Sequence, residues 1–255
     1  MKSTRNTLGI TLAIVLAATT FTGFGLTGAL AATLDGSRPL VVLLHGLGRN
    51  ASSMWLMARR LEDAGFDVHR IEYASLDTPP PDIVATVTRD IDHCCSDYPE
   101  TVHFVGHSLG GLVIRSYLAQ RRPRNLGRVV LVGTPNSGTE LVDRFRDWKA
   151  FDLLGPTTAA LGTDPQSLPA SLPPPDYPVG VIAGVRGPGW NDHLLPGPDD
   201  GLVSVESAKL EGMSDFIILE AGHSMMRYSG EVAGQVVKFL KDGKFDHATI
   251  EVKSP

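Results

Sequence analysis

Short apolar runs alternate with amphipathic segments along most of the chain. Six runs are rich in β-branched residues and most are almost continuously apolar, which is typical of parallel strands covered on both faces. The predicted strands are Leu40–Leu44, Asp67–Ile71, Val102–Val105, Arg128–Val132, Val179–Val185 and Phe216–Leu219. Apolar residues at helical spacing lie between them, and the predicted helices are Ser53–Ala64, Ile83–Asp97, Leu109–Gln120 and Glu231–Leu240. This alternation predicts an α/β fold with a mostly parallel sheet flanked by helices.

Residues 139–178 interrupt the alternation, and we call them the excursion. Ten of the 18 prolines lie from Pro156 to Pro198, in the excursion and just after it. Because proline removes a backbone donor and fixes φ, a central strand is excluded here. We predict either a rigid surface loop or a lid over a site. Five apolar residues form either an acyl-binding wall or a small satellite core: Phe145, Trp148, Phe151, Leu153 and Leu154.

The N-terminal segment has the layout of an export signal. Two basic residues precede an uncharged stretch from Asn6 to Leu34, whose first half is strongly apolar. Ala29–Ala31 has the small-x-small pattern of a cleavage site, so residues 1–31 are predicted to be a signal peptide and 32–255 the folded domain. The alternative is an uncleaved membrane anchor, since the uncharged stretch is long enough to cross a bilayer. Either way the folded domain is expected to lie outside the cytoplasm: secreted or periplasmic after cleavage, and membrane-anchored without it.

Composition and charge exclude several classes of protein. Of the 255 residues, 42% are hydrophobic and 20% charged, which excludes a disordered or fibrous chain. A formal net charge of −5 without a basic cluster excludes nucleic acid as a partner. The adjacent residues Cys94 and Cys95 are expected to stay separate buried thiols, because neighbouring Cα atoms lie about 3.8 Å apart, closer than in a relaxed disulfide. No second cysteine pair stands at ligand spacing, so neither a metal nor a cofactor is expected.

A pentapeptide after the third predicted strand has the pattern of a nucleophile turn. Residues Gly106–Gly110 read Gly-His-Ser-Leu-Gly, directly between the strand Val102–Val105 and the helix Leu109–Gln120. A sharp strand-to-helix turn holds its middle residue in a strained conformation, and the flanking glycines leave room for the neighbouring elements. Ser108 is therefore predicted to be a nucleophile at the carboxyl edge of the sheet.

A serine nucleophile needs a base, and the base needs an orienting acid. His223 follows the last predicted strand and is the predicted base, with His193 in the proline-rich stretch as its rival. Three aspartates follow the strand before it: Asp192, Asp199 and Asp200. We favour Asp200, which begins a turn with a glycine and two apolar residues, and place Asp199 second.

Backbone amides are predicted to bind the oxyanion of a tetrahedral intermediate. The amide of Leu109 is one, because it follows the nucleophile. The amide of Leu47 is the other, since the glycine-flanked turn His45–Gly48 follows the first strand. His45 itself is expected to be a structural hydrogen-bonding residue.

Together these motifs resemble the α/β-hydrolase family, and within it the bacterial lipases and esterases. The resemblance extends from about Pro39 to Leu240 and rests on His45–Gly48, Gly106–Gly111, Gly133–Pro135, Asp200–Val203 and Gly222-His223. In these lipases the acid begins an Asp-Gly-x-Val stretch about two dozen residues before the histidine, and the separation of 23 residues here favours Asp200. Two features depart from the family: Asn136 stands where many relatives have histidine, and the cysteine pair bonded in some secreted lipases is absent.

The resemblance implies the α/β-hydrolase fold, with the excursion as a small cap. It also implies a serine hydrolase that cleaves carboxylic esters of lipid or acyl type, in transient contact with a lipid surface. An acyltransferase, amidase or thioesterase using the same three residues is the alternative, because the fold hosts all of these activities. A non-catalytic lipid- or partner-binding module is a third interpretation, against which the intact set of Ser108, Asp200 and His223 argues.

Overall fold

The computed structural model describes residues 37–148, 151–186 and 194–248. All of them belong to the unit Leu34–Pro255. The predicted signal segment, residues 1–31, lies outside the described residues. Within the described ranges, no helix combines the length and the apolar character needed to cross a membrane.

A six-stranded parallel sheet forms the centre of the described part of the chain, in the order β2-β1-β3-β4-β5-β6. The strands are β1 (Leu40–Leu44), β2 (Asp67–Ile71), β3 (Val102–His107), β4 (Leu126–Val132), β5 (Val179–Val185) and β6 (Asp215–Glu220). Each covers a predicted run, and the predicted parallel α/β architecture is confirmed. Every residue of the central strand β1 is buried, whereas most residues of the edge strand β2 are partly exposed, which explains the polar composition of β2.

Helices cover both faces of this sheet. The helices are α1 (Trp55–Asp63), α2 (Pro80–Cys95), α3 (Leu109–Gln120), α4 (Glu140–Phe145), α5 (Gly155–Ala159), α6 (Leu168–Ser171), α7 (Val205–Ala208) and α8 (Gly230–Asp242). Alternate residues of β1 point to opposite faces, so one core contains α2 and α3 and the other contains α1 and α8. The α2 helix starts three residues before the predicted position, because two prolines occupy its first turn, where no amide donor is needed.

The excursion consists of short elements: α4, a 3-10 turn at Phe151–Leu154, α5 and α6. The apolar side chains that the structure describes in it form no separate core. Phe151 is buried in the core that contains α2 and α3, and Phe145 and Leu154 pack against the same core. Trp148 and Leu153 remain 46% and 84% exposed. The five residues therefore divide between packing and an exposed surface.

A buried arginine fastens the excursion to the domain. Arg115 on α3 is 4% exposed, and its guanidinium donates to the backbone oxygen and Oδ1 of Asn136 at 3.3 and 3.2 Å. It also donates to the carbonyl oxygens of Leu172 and Pro173, at 3.4 and 3.5 Å. Asn136 in turn donates to the Ala208 carbonyl oxygen at 2.7 Å. The residue that departs from the family pattern thus links α3 to α7, while Arg115 itself makes the bonds to the excursion.

The expectation of two separate thiols is wrong. Cys94 and Cys95, in the last turn of α2, form a disulfide with each other, and their Cα atoms lie 3.8 Å apart. The sequence argument treated the usual range of Cα separations as a limit. The bond forms at a Cα separation below that range.

Candidate active site

The turn Gly106–Gly110, which we call the elbow, leads the chain from β3 into α3. Ser108 at its centre has φ 56°, the one positive φ of a non-glycine residue in the described ranges. Its amide donates to the carbonyl oxygen of Val132 on the neighbouring strand at 2.9 Å. The residue is partly exposed, although most of its neighbours in the elbow are buried. Backbone strain therefore presents the Ser108 hydroxyl to solvent at the carboxyl edge of the sheet.

Glycines make this turn sterically possible. A Cβ atom at Gly106 would lie 2.5 Å from the Gly111 amide nitrogen. One at Gly110 would lie 2.6 Å from the carbonyl oxygen of Leu44. Both distances are far below van der Waals contact, so strand and helix approach this closely only where no side chain is present.

The structure brings Ser108, His223 and Asp200 into one chain of hydrogen bonds. The Ser108 hydroxyl oxygen lies 2.9 Å from Nε2 of His223, and Nδ1 of His223 lies 2.7 Å from Oδ2 of Asp200. Three different loops supply these residues, one after each of β3, β5 and β6. Because parallel strands end at the same edge of a sheet, the fold brings the three loops together. Both His223 and Asp200 are buried, at 7% and 2% exposure.

The loop after β5 determines which aspartate contacts the histidine. Asp200 Oδ1 accepts the amides of Leu202 and Val203, at 2.9 and 2.8 Å, which leaves Oδ2 for His223. Asp199 points elsewhere: its Oδ1 accepts the Gly201 amide at 2.7 Å and lies 3.6 Å from the Arg186 guanidinium. The alternatives Asp192 and His193 lie outside the described residues.

The turn His45–Gly48 lies directly against the elbow. A Cβ at Gly46 would be 3.1 Å from the Cβ of Ser108. No described residue accepts a hydrogen bond from the amide of Leu47 or Leu109, whereas the Gly48 amide donates to Ser75 Oγ at 2.9 Å. The two amides predicted to bind an oxyanion therefore have no protein partner in the described ranges, on turns that touch each other.

His45 supports this turn from behind. Its ring is fully buried, stacks on Tyr73 with centroids 4.1 Å apart, and bonds through Nδ1 to the Gly46 carbonyl oxygen at 2.9 Å. The Tyr73 hydroxyl donates to the His45 carbonyl oxygen. Burial lowers the pKa of His45, so the ring stays neutral at neutral pH. These contacts give His45 the structural position expected for it.

Gly133 is a site residue that the sequence did not single out individually. It follows β4 with φ 57°, and a Cβ there would lie 3.2 Å from Asp200 Oδ2 and 3.4 Å from His223 Nδ1. The glycine thus makes room for the Asp200–His223 contact. Its place in the Gly-Thr-Pro motif after β4 is the signal that marks it.

One cluster of side chains has metal-ligand character. The ligand atoms of His69, Asp90 and Cys94 lie within 4.8 Å of one another. The sulfur of Cys94 is bonded to Cys95, however, and His69 already contacts Asp90 at 2.8 Å. We assign no metal to this cluster.

A cavity of about 710 Å³ lies between α2, α3 and α6, and none of Ser108, Asp200 and His223 lines it. Access to Ser108 is instead from the surface at the sheet edge, where the residue is partly exposed.

Comparison with known proteins agrees with this architecture. Solved structures with a similar fold include the mature lipase BlEst2 of Bacillus licheniformis, which is 21% identical with a TM-score of 0.59 over 74% of this chain and 87% of that one. Phospholipase PlaB of Legionella pneumophila is 15% identical with a TM-score of 0.63 over 82% of this chain and 60% of PlaB. The metagenomic carboxyl esterase MGS0156 is 17% identical with a TM-score of 0.53 over 74% and 65%.

At these identities the similarity to solved structures concerns the fold alone. No curated protein matches the sequence. The sequence model described as the alpha/beta hydrolase family matches residues 41–235, which is most of the chain and includes the three loops of the site. The chain belongs to the alpha/beta hydrolase family.

Proposed function

We propose that this protein is a serine hydrolase that cleaves carboxylic esters through an acyl-enzyme on Ser108. The observation that carries the proposal is the unbroken chain Ser108 Oγ, His223 and Asp200, with contacts of 2.9 and 2.7 Å, ending on a strained and partly exposed serine. A structural serine has no need for a positive φ or for a buried histidine–aspartate pair behind it.

In the proposed mechanism, His223 Nε2 takes the hydroxyl proton while Ser108 Oγ forms a bond to the acyl carbon. The electron pair of the carbonyl moves to its oxygen, and the amides of Leu47 and Leu109 donate to that oxyanion. The imidazolium then gives its proton to the leaving alkoxide, which departs as an alcohol. Water, deprotonated by His223, attacks the acyl-enzyme in the same way and releases the acid.

Asp200 fixes the tautomer that this cycle requires. With Oδ1 occupied by two backbone amides, Oδ2 accepts a hydrogen bond from Nδ1–H of His223. Nε2 therefore carries a lone pair toward Ser108 before the first step. When His223 becomes an imidazolium, the adjacent carboxylate stabilises its charge.

Exposed apolar side chains around the site support an acyl or lipid ester as substrate. Met225, two residues after His223, is 61% exposed, and Leu202, two residues after Asp200, is 46% exposed. Leu76, 36% exposed, lies 3.7 Å from a Cβ built at Gly48 in the proposed oxyanion turn. Apolar groups at the mouth of the site favour acyl chains and transient contact with a lipid surface.

A panel of esters of increasing acyl length tests the proposal. Ser108→Ala is expected to reduce kcat by at least about 10⁴-fold, as removal of a triad nucleophile does in other enzymes. The matched control is Ser116→Ala, eight residues further along α3, where the lost hydroxyl only donates to the Leu112 carbonyl oxygen. Activity that survives Ser108→Ala, or no activity on any ester, contradicts the proposal.

Preference for emulsified long-chain esters indicates a lipase, and preference for soluble short ones an esterase.

We further propose that the enzyme acts outside the cytoplasm. The support is the sequence of residues 1–31, with its basic start, apolar centre and Ala29–Ala31 ending. Expression of the full chain in a bacterial host, followed by N-terminal sequencing of the periplasmic or secreted protein, is expected to give Ala32 as the first residue. Retention of the intact N-terminus in the membrane fraction indicates an anchor instead.

A further inference from the structure

A second buried histidine lies beside the proposed catalytic residues and has no part in the mechanism above. His107 is the last residue of β3, immediately before Ser108, and is 3% exposed. Its ring lies 5.0 Å from that of His223, centroid to centroid. Its Nε2 is 2.9 Å from the backbone carbonyl oxygen of His223. A buried ring that contacts the backbone of the proposed base calls for an explanation of its own.

We propose that His107 is a positioning residue that holds the backbone of His223 so that its imidazole faces Ser108. This inference rests on the proposed function and adds to it a residue outside the set of Ser108, His223 and Asp200. The bond to the His223 carbonyl has one direction, because a carbonyl oxygen only accepts. Nε2 of His107 therefore carries a proton and donates it.

The protonation state of His107 agrees with this role. Burial holds the pKa of His107 well below its ordinary value, and the neighbouring His223, Arg227 and Arg49 lower it further. The ring is thus neutral, with its single proton on Nε2. When His223 gains a proton during catalysis, His107 remains uncharged and does not repel the imidazolium.

The backbone of His223 is held on both sides. Its amide donates to the Asp200 carbonyl oxygen at 2.8 Å, and its own carbonyl accepts from His107 at 2.9 Å. The first contact ties the base to the loop of the acid. The second ties it to the strand that carries the nucleophile, one residue before Ser108. With both contacts in place, the position of the imidazole is fixed relative to each of its partners.

The same ring also contacts the turn His45–Gly48. Its Nδ1 lies 3.1 Å from a Cβ built at Gly46, and no described residue donates to this Nδ1. The absence of a side chain at Gly46 therefore allows the ring of His107 to lie beneath the proposed oxyanion turn. His107, itself part of the elbow, thus lies against both the proposed oxyanion turn and the loop of the base.

Two substitutions separate the donated hydrogen bond from the volume of the ring. The amide nitrogen of glutamine reaches about as far as Nε2 of histidine, whereas that of asparagine reaches only as far as Nδ1. His107→Asn is expected to lower kcat on the order of 10- to 100-fold with little change in KM, because the base is displaced while ester binding is not. His107→Gln is expected to restore most of this loss.

His103→Asn is the matched control. His103 is also buried on β3, at 5% exposure, at the end of the strand away from the elbow, and its Nδ1 accepts the Arg128 amide at 2.9 Å. Its replacement tests whether any loss of a buried histidine from this strand lowers kcat. Wild-type kcat for this variant is the expected result.

Imidazole NMR of the ¹⁵N-histidine-labelled wild-type protein gives a readout independent of activity. A neutral His107 with its proton on Nε2 supports the proposal, and a proton on Nδ1 overturns it even where His107→Asn fails to fold. Equal kcat in His107→Asn and wild type, or equal losses in the Asn and Gln variants, also overturns it. Ester hydrolysis that survives Ser108→Ala refutes the proposed function instead, so the two failures are distinguishable.

Discussion

The elbow and the excursion both lie against helix α3, but different kinds of contact hold them in place. At the elbow, backbone atoms fit against one another at Gly106 and Gly110, where a Cβ would come within 2.5 and 2.6 Å of backbone atoms. The excursion combines three kinds of contact. Phe151 is buried in the core, a Cβ at Gly155 would overlap the Leu76 carbonyl oxygen, and the side chains of Arg115 and Thr157 donate to backbone carbonyl oxygens. Close backbone packing dominates at the elbow, whereas in the excursion it acts together with apolar burial and individual polar contacts.

This difference matches the roles that the two regions have in the proposed function. A nucleophile must be held within a fraction of an ångström of its base, and close backbone packing provides that precision. The excursion covers one flank of the domain and presents exposed apolar residues, for which such precision is not required. Changes at the sheet edge should therefore abolish chemistry or folding, and changes in the excursion should leave chemistry on small esters intact.

The largest expected effect comes from Asp200→Asn at the sheet edge. An asparagine can keep the bonds from Leu202 and Val203 but turns an NH₂ group toward His223, so Nδ1 must accept and Nε2 carries the proton. The base is then in the wrong tautomer, and kcat is expected to fall about 10⁴-fold, as it does for the equivalent change in a serine protease.

Asp199→Asn is the control for this prediction, since Asp199 bonds Gly201 and lies near Arg186 instead of His223. Steady-state kinetics on a soluble ester should show at most a small loss in that variant. Equal losses in both variants contradict the assignment of Asp200 as the orienting acid.

Gly110→Ala breaks the elbow itself. The added methyl group would lie 2.6 Å from the Leu44 carbonyl oxygen and 2.7 Å from that of His45. Forcing the strand and helix apart is expected to cost about 1–3 kcal/mol or more, and to lower Tm by several degrees. Gly234→Ala in α8, where nothing lies within 4 Å of the added atom, should instead be neutral or stabilising by up to about 1 kcal/mol. Thermal unfolding of the two variants compares them directly.

Acid should destabilise the sheet and its turns, because the buried histidines are there and the excursion contains no histidine. Burial, aided by the Arg128 cation, lowers the pKa of His103 to about 4. Above pH 6.5 the ring is neutral in both folded and unfolded states. Between pH 6.5 and about 4 only the unfolded state binds the proton, so stability falls by up to about 1.4 kcal/mol per pH unit for this group.

His103→Asn removes this titration while keeping an acceptor for the Arg128 amide. The difference in Tm between pH 7.5 and pH 5 should therefore be smaller in the variant than in wild type. Part of the difference should remain, since burial also lowers the pKa of His45 and His107. If the Tm difference between the two pH values is the same in variant and wild type, His103 binds a proton equally well in the folded and unfolded states.

The smallest effect on chemistry is expected for Arg115→Met, which loosens the excursion. Loss of the Arg115 guanidinium leaves the carbonyl oxygens of Asn136, Leu172 and Pro173 without this donor, which is expected to lower the free energy of unfolding by about 1–3 kcal/mol. Trypsin should cleave the excursion faster, while kcat on a short ester stays within a few-fold of wild type. Arg89→Met is the control, because Arg89 is exposed and donates to Thr86 on its own helix. Loss of activity without faster cleavage contradicts the separation of the two regions.

The same difference explains what the sequence predicts well. The strands and the Gly-x-Ser-x-Gly pattern are local, and both the buried apolar runs and the glycine spacing follow from close packing, so the sheet and the position of Ser108 were predictable. The partners of Arg115 were not, because four acceptors from distant segments meet only after folding. The contact of His107 with the His223 carbonyl joins residues 116 positions apart and has no local signature. The Cys94–Cys95 bond was excluded wrongly because the usual range of Cα separations is not a strict limit.

Covalent trapping tests the central claim most directly. The protein is incubated with a 4-nitrophenyl alkylphosphonate, which phosphonylates an activated serine and releases 4-nitrophenol, and is then digested and analysed by mass spectrometry. The account predicts one adduct, on Ser108, which forms rapidly in wild type, slowly in Asp200→Asn and not at all in Ser108→Ala. Failure of folded wild-type protein to form an adduct, or an adduct on another residue that persists in Ser108→Ala, would contradict it.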